Sequence, residues 1–229
     1  MTAADVYREW QPPPEWRHAV ACCWEQVVAA DRVQHVVPDG HADLLIHASG
    51  RIEVVGLQDR VALPALPQGT HIRGIRLRPE AVAPAFGVTA SSLRNLTVTA
   101  EDVLGARGAA RLLDPRARDR WLRDVAPDGR TAAAVRLLAD TTVADAADQL
   151  GITDRHLRRV LLTEVGLTPK AFQRVLRLQR FLAAVEGRRE IAAAAAASGY
   201  ADQAHLTREA RALTGETPRA LLRRRGLAP

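Results

Sequence analysis

The pattern of apolar and polar positions changes character once along the chain. Residues 32–37, 43–48 and 51–56 are short runs rich in β-branched side chains, separated by Pro38-Asp39-Gly40 and by Ser49-Gly50. Runs of that length between turn-forming residues predict strands joined by tight turns, and residues 61–66 and 72–78 continue the series. From Pro79 onward the period becomes helical. Thr99-Ala100-Glu101-Asp102 predicts a capped helix start, and Asp114-Pro115 opens an arginine-rich helix reaching Val125, with proline at the first helical position. Pro127-Asp128-Gly129 then breaks the chain. Beyond it, Thr142 precedes Val143, Ala146, Ala147 and Leu150 at helical spacing, and Gly151 ends the segment. The six alanines at 192–197 predict a closely packed helix, alanine being the best helix former.

The expected fold class is α+β. Residues 1–128 form a β-rich, barrel-like domain with flanking helices, and residues 129–229 an all-α domain. The helices at 106–125 either bridge the two or form a dimer surface.

An internal repeat defines the helical half. His156-Leu157-Arg158-Arg159 returns as His205-Leu206-Thr207-Arg208, and Gly166-Leu167-Thr168-Pro169-Lys170-Ala171 returns as Gly215-Glu216-Thr217-Pro218-Arg219-Ala220, always 49 positions apart. Each copy is a helix that ends at a glycine, followed by Thr-Pro, a hydroxyl cap with proline at the first position of the next helix. Each is preceded by a short alanine-rich helix ending at Gly151 or Gly199. Helix, glycine turn, helix is the helix-turn-helix layout, so two units are predicted at about 142–166 and 189–215. The helix joining them, 168–185, would span roughly 27 Å, close to the ~34 Å between successive major-groove faces of one side of B-DNA.

Charge sharpens this reading. The chain of 229 residues carries a net +6, and residues 1–130 contribute nothing to it, with 16 basic and 16 acidic groups. Residues 131–229 hold 16 basic and 10 acidic groups, so the whole excess lies where a polyanion would bind. In the first predicted recognition helix Leu157, Val160 and Leu161 form the apolar stripe and leave Arg155, Arg158 and Arg159 on another face. In the second, Leu206, Ala210 and Leu213 form the stripe and leave Gln203, Thr207, Arg208 and Arg211 outward. Arginine pairs with guanine or phosphate, glutamine with adenine, and threonine touches a thymine methyl.

Over residues 131–226 the sequence resembles the AraC/XylS family of bacterial transcription regulators. The stretch from the alanine run through Ser198-Gly199-Tyr200-Ala201-Asp202-Gln203-Ala204-His205-Leu206-Thr207-Arg208 to Thr217-Pro218 is similar to that family's signature region. The resemblance implies two helix-turn-helix subdomains on a long helix, with base contacts from Arg155, Arg158 and Arg159 and from Gln203, Ala204, His205, Thr207 and Arg208. Ala210 stands where the family usually has phenylalanine, and Leu221 where an aromatic is common. Residues 36–46, with Pro38-Asp39-Gly40-His41-Ala42-Asp43-Leu44, are similar to a pattern of β-rich domains found ahead of such readers, which sense a small molecule, mediate dimerisation, or both.

In that first half, Trp10 and Trp24 with His41, Asp43 and His47 are the candidate effector-binding residues. Asp43 and His47 share a strand face, and three of the four tryptophans, Trp10, Trp16 and Trp24, fall within the first 24 residues. The plainer alternative is that the aromatics pack the core or clamp the N-terminal segment. A His/Asp metal site involving His35, His41 and His47 is the weaker reading, and neither metal nor cofactor is expected. Adjacent Cys22 and Cys23 have no metal-ligand spacing and read as reduced buried thiols.

No apolar run is long enough to span a membrane and the N-terminus has no leader-like pattern, so a cytoplasmic protein is expected. No phosphate loop or nucleophile elbow is present, so an enzyme is not expected. The expected partners are double-stranded DNA and a small-molecule effector, with RNA polymerase if the protein activates transcription. A homodimer is an open alternative, as is a ligand-independent DNA-binding dimer, and less so a metal-dependent enzyme or DNA-repair protein fused to a reader.

Overall fold

The computed structural model describes residues 5–186 and 190–227. The extreme N-terminus at residues 1–4 and the predicted start of the second unit at 189 lie outside these residues. The chain is α+β, with an antiparallel sheet in the first part and helices in the last.

The sheet has six strands, β1 (Val6–Trp10), β2 (Val20–Val27), β4 (Ala42–His47), β5 (Ile52–Val55), β7 (His71–Leu77) and β8 (Thr97–Thr99), in the order β1-β2-β7-β4-β5-β8. It is open at β1 and β8. A two-stranded ribbon of β3 (Arg32–Val33) and β6 (Ala65–Leu66) is tied to β2 by the Gln26–Gln34 side-chain hydrogen bond at 2.7 Å. One sheet face buries Leu44, Val54, Ile75 and Leu77 against helices. Those helices are α1 (Val82–Phe86), α2 (Ala100–Leu113) and α3 (Pro115–Asp124). The Thr99/Asp102 capping box opens α2, and Asp114 caps α3 through the amide of Arg116 at 3.0 Å. Helix α2 packs on β5 and β8, and α3 packs on α2 and on the 3-10 turn at Pro14–Trp16.

The helical part runs α4 (Gly129–Asp140), α5 (Val143–Gln149), α6 (Asp154–Glu164), α7 (Pro169–Glu186), α8 (Ile191–Ala197), α9 (Gln203–Thr214) and α10 (Pro218–Arg224). Its caps are the ones the sequence dictates: Asp128 on α4, Thr142 on α5, Thr153 on α6, Thr168 on α7, Asp202 on α9 and Thr217 on α10. α7 buries Phe172, Val175, Leu178, Phe181, Leu182 and Val185.

Sheet and helices share one apolar core. A 3-10 turn at Ala90–Leu93 and helix α1 pack on α6, and Gly166 stands so close to the Ala90 carbonyl that a Cβ there would lie 2.8 Å from the oxygen. The Pro38-Asp39-Gly40 turn seats on α7, where Gln179 donates to the Pro38 carbonyl. The Val61 amide donates to the Leu213 carbonyl of α9 at 2.6 Å.

Candidate nucleic-acid interface

In the first unit Thr153 accepts the His156 amide at 3.2 Å, fixing the start of α6. Leu157 and Leu161 are fully buried beneath it. That orientation leaves Arg155, His156, Arg158 and Arg159 exposed. None of the three arginines makes an ion pair among the described residues, so each guanidinium is available to a phosphate or a base edge.

The second unit repeats the arrangement with a stronger cap: Asp202 accepts the His205 amide at 2.6 Å, and Leu206, Ala210 and Leu213 are buried. Gln203, Ala204, Arg208 and Arg211 are exposed, and the first three line a shallow concavity with Thr207. The Thr207 hydroxyl donates to the Gln203 carbonyl at 2.8 Å, so its hydrogen serves its own helix. Ala210 and Leu221 are both buried, so the smaller side chains sit on packing faces.

His205 is turned inward. Its Nε2 lies 3.4 Å from Glu209 Oε1, and its ring meets Tyr200 edge-on at 5.3 Å. Glu209 also takes Arg174 at 3.4 Å and Arg177 at 3.1 Å from α7, and the Arg177 guanidinium lies over the Tyr200 ring at 5.6 Å. Burial, then the neighbouring Glu209 charge, pushes the Tyr200 phenol above its ordinary range. One buried carboxylate thus ties α9 to the joining helix, as Gln173 ties α7 to α4 by donating to the Leu138 and Thr141 carbonyls. The sequence reading missed Glu209, Arg177 and Tyr200 as positioning residues; the i, i+4 spacing of His205 and Glu209 was the available signal.

The helix-turn-helix domain family matches residues 146–224, from within α5 to the end of α10. The C-terminal part is an AraC-type helix-turn-helix domain. With this AraC-type domain the chain is a DNA-binding transcription regulator. A domain of unknown function (DUF6597) matches residues 8–99 of the sheet region. No curated protein matches the chain. Among solved structures, the chain is similar to ToxT from Vibrio cholerae O395 at 12% identity, with 87% of this chain and 95% of that one covered and a TM-score of 0.45. It is similar also to ToxT bound to (E)-4-(8-methylnaphthalen-1-yl)but-3-enoic acid, at 12% identity, 86% and 91% coverage and a TM-score of 0.46.

Upstream of the AraC-type domain, the five candidate effector residues separate. Trp24, His41 and Asp43 converge: the Trp24 indole donates to Asp43 at 2.8 Å, and Arg76 reaches Asp43 at 3.5 Å and Asp39 at 3.4 Å. His41 holds the same turn, its amide donating to Asp39 Oδ1 at 2.9 Å. Burial pushes the Asp43 carboxyl up despite the arginine. Trp24 lies against Gly74, where a Cβ would be 1.9 Å from the indole. His47 stands further along the strand, bonded to Glu53 at 2.6 Å. Trp10 is 47% exposed on the edge strand, where it pairs in register with Cys23 rather than Trp24. Trp16 clamps the N-terminal segment to α3 by donating to Asp119 at 2.9 Å. Burial pushes the Cys22 thiol up to about 11 and raises Cys23, so neither is a ready thiolate. Among the described residues no three His, Cys, Asp or Glu side chains are grouped to hold a metal ion, and no helix is long and apolar enough to cross a membrane.

Proposed function

We propose that the protein reads a specific operator with both recognition helices and that its sheet domain, residues 1–128, adjusts this reading in response to a small molecule. Arg155, Arg158 and Arg159 of α6 are the first set of DNA contacts, and Gln203, Ala204, Thr207, Arg208 and Arg211 of α9 the second. His205 contributes by orienting the start of α9. The observation that carries the reading is the pair of capped helices, each with exposed arginines that make no ion pair among the described residues, lying before and after one 18-residue helix in the chain. That helix measures about 27 Å, so one chain can address adjacent major-groove faces.

The response to a small molecule is supported by the shared core. A change in the sheet domain meets α6, α7 and α9 directly, through Ala90, Gly40 and Val61.

Selection of bound sequences from a random DNA pool by the full-length protein, at moderate salt, tests the reading. Enrichment of two short boxes about one helical turn apart is the expected result. Salt-sensitive binding without an enriched sequence would overturn it.

A further inference from the structure

The hairpin of α2 and α3 holds a partly enclosed cleft of about 460 Å³, within the ~300–1,000 Å³ of small-molecule sites. Its wall is apolar, made by Leu104, Leu112, Ala117 and Trp121, and Arg111, Arg120 and Asp124 stand around it. The backbone makes room for it: α2 is broken at Gly105, where φ is +70°, and Gly108 presents no side chain to the space.

Two of the arginines on this hairpin are already committed. Arg123 pairs with Glu15 at 2.9 Å and Asp119 at 3.1 Å, and Arg118 donates to the Leu112 carbonyl at 2.6 Å. Arg111 and Arg120 are exposed and make no ion pair among the described residues, so the rim has two available cations and one acid. A DNA phosphate would use the arginines and leave the tryptophan and leucines without a role. A neutral apolar molecule would leave the arginines unused.

We propose that this cleft is a binding site for a small amphipathic organic anion. Its apolar body lies against Trp121 and Leu112, and its carboxylate takes Arg111 and Arg120. The wall that such a ligand touches leads to the first reader. The Trp121 indole donates to the Ala85 carbonyl at 3.1 Å and packs 5.9 Å from the Phe86 ring, and α1, which carries both, packs on α6. In its consequence for transcription the inference rests on the effector-responsive reading above; the binding step itself does not.

The test uses full-length protein labelled with 5-fluorotryptophan, without DNA, with the Trp121 resonance identified by Trp121→Phe. Cyclohexylacetate is titrated beside its neutral and cationic counterparts, 2-cyclohexylethanol and 2-cyclohexylethylamine. The acid is expected to shift the Trp121 signal saturably, leave Trp24 unmoved, and bind at least ~10-fold more tightly than either counterpart. An Arg111→Gln/Arg120→Gln variant, with an unchanged melting temperature, is expected to lose ~10-fold or more of that affinity. No saturable shift of Trp121 at millimolar acid, equal affinity for the three probes, or undiminished affinity in the double variant overturns the proposal. Failure to enrich an operator in the DNA selection would sink the reader assignment and leave this result standing.

Discussion

Gly40, at the tip of the turn before β4, faces Phe172 on the joining helix so closely that a Cβ at position 40 would stand 3.2 Å from the ring. The same residue has φ +82°, in the left-handed region that side chains disfavour. Gly40→Ala is therefore expected to destabilise the protein by ~1–2 kcal/mol from the backbone, plus whatever the displaced ring adds. Gly50→Ala is the natural control, with φ +85° and nothing within 4 Å of its Cβ. Urea midpoints separate the two terms: a Gly40 loss no larger than the Gly50 loss would show that the Phe172 ring yields to the added Cβ without cost.

Arg158→Ala and Arg208→Ala are each expected to weaken operator binding, by ~1–3 kcal/mol where the lost contact is bidentate to a base. Neither arginine is buried, so melting temperatures should stay put. Titrations at several salt concentrations tell the two kinds of contact apart, since losing a phosphate contact flattens the salt dependence. Parental affinity in both variants would count against the assigned reading faces.

Glu209→Gln should act differently from either arginine change. It removes the charge facing Arg174, Arg177 and His205, with expected losses of roughly 1–2 kcal/mol in stability, discounted because Arg174 is substantially exposed. Operator affinity should fall with it, in the free energy that orders α9. Thermal melts beside binding curves decide the matter; a binding loss with no thermal change would place Glu209 at the DNA rather than behind the helix.

Asp128 caps α4, accepting the Thr131 amide at 2.8 Å, and that backbone bond holds its carboxyl below the usual carboxylate range. A carboxylate depressed in the folded state stabilises the fold above its unfolded pKa of ~4, and the contribution disappears as pH falls through the folded value. Asp128→Ala should cost ~1 kcal/mol at neutral pH. The gap to the parent should close in acid. Denaturation at pH 7 and near pH 3 reads this directly, and a gap that persists in acid would exclude the cap as its origin.

The helical half was legible because its signals are local. Thr153, Thr168-Pro169, Asp202 and Thr217-Pro218 cap helices in the folded protein as their spacing predicts, and Gly215 closes α9 in the left-handed conformation. β4, β5 and β7 fall where β-branched runs predict them. β2 was not read as a strand, because Val20-Ala21-Cys22-Cys23-Trp24 has no clean alternation of burial to betray it, and its partner β7 lies far along the chain. The strands predicted at 32–37 and 61–66 shrink to two residues each, paired as a ribbon, plus the Val36–Ala62 bridge. Period 3.6 was enough to find the exposed faces of α6 and α9. It could not show that His205 turns inward, since that depends on Arg177 of another helix.

The two readers are held unequally. Helix α6 is braced by α1 and by the turn at Ala90, which Gly166 meets at backbone distance, whereas α9 receives the Val61 amide at its far end. Helix α9 is tied instead to α7, through Glu209 with Arg174 and Arg177, so the sheet region touches the first unit more broadly than the second. On the proposed reading, a change in the sheet domain would therefore alter the grip on the first box more than on the second.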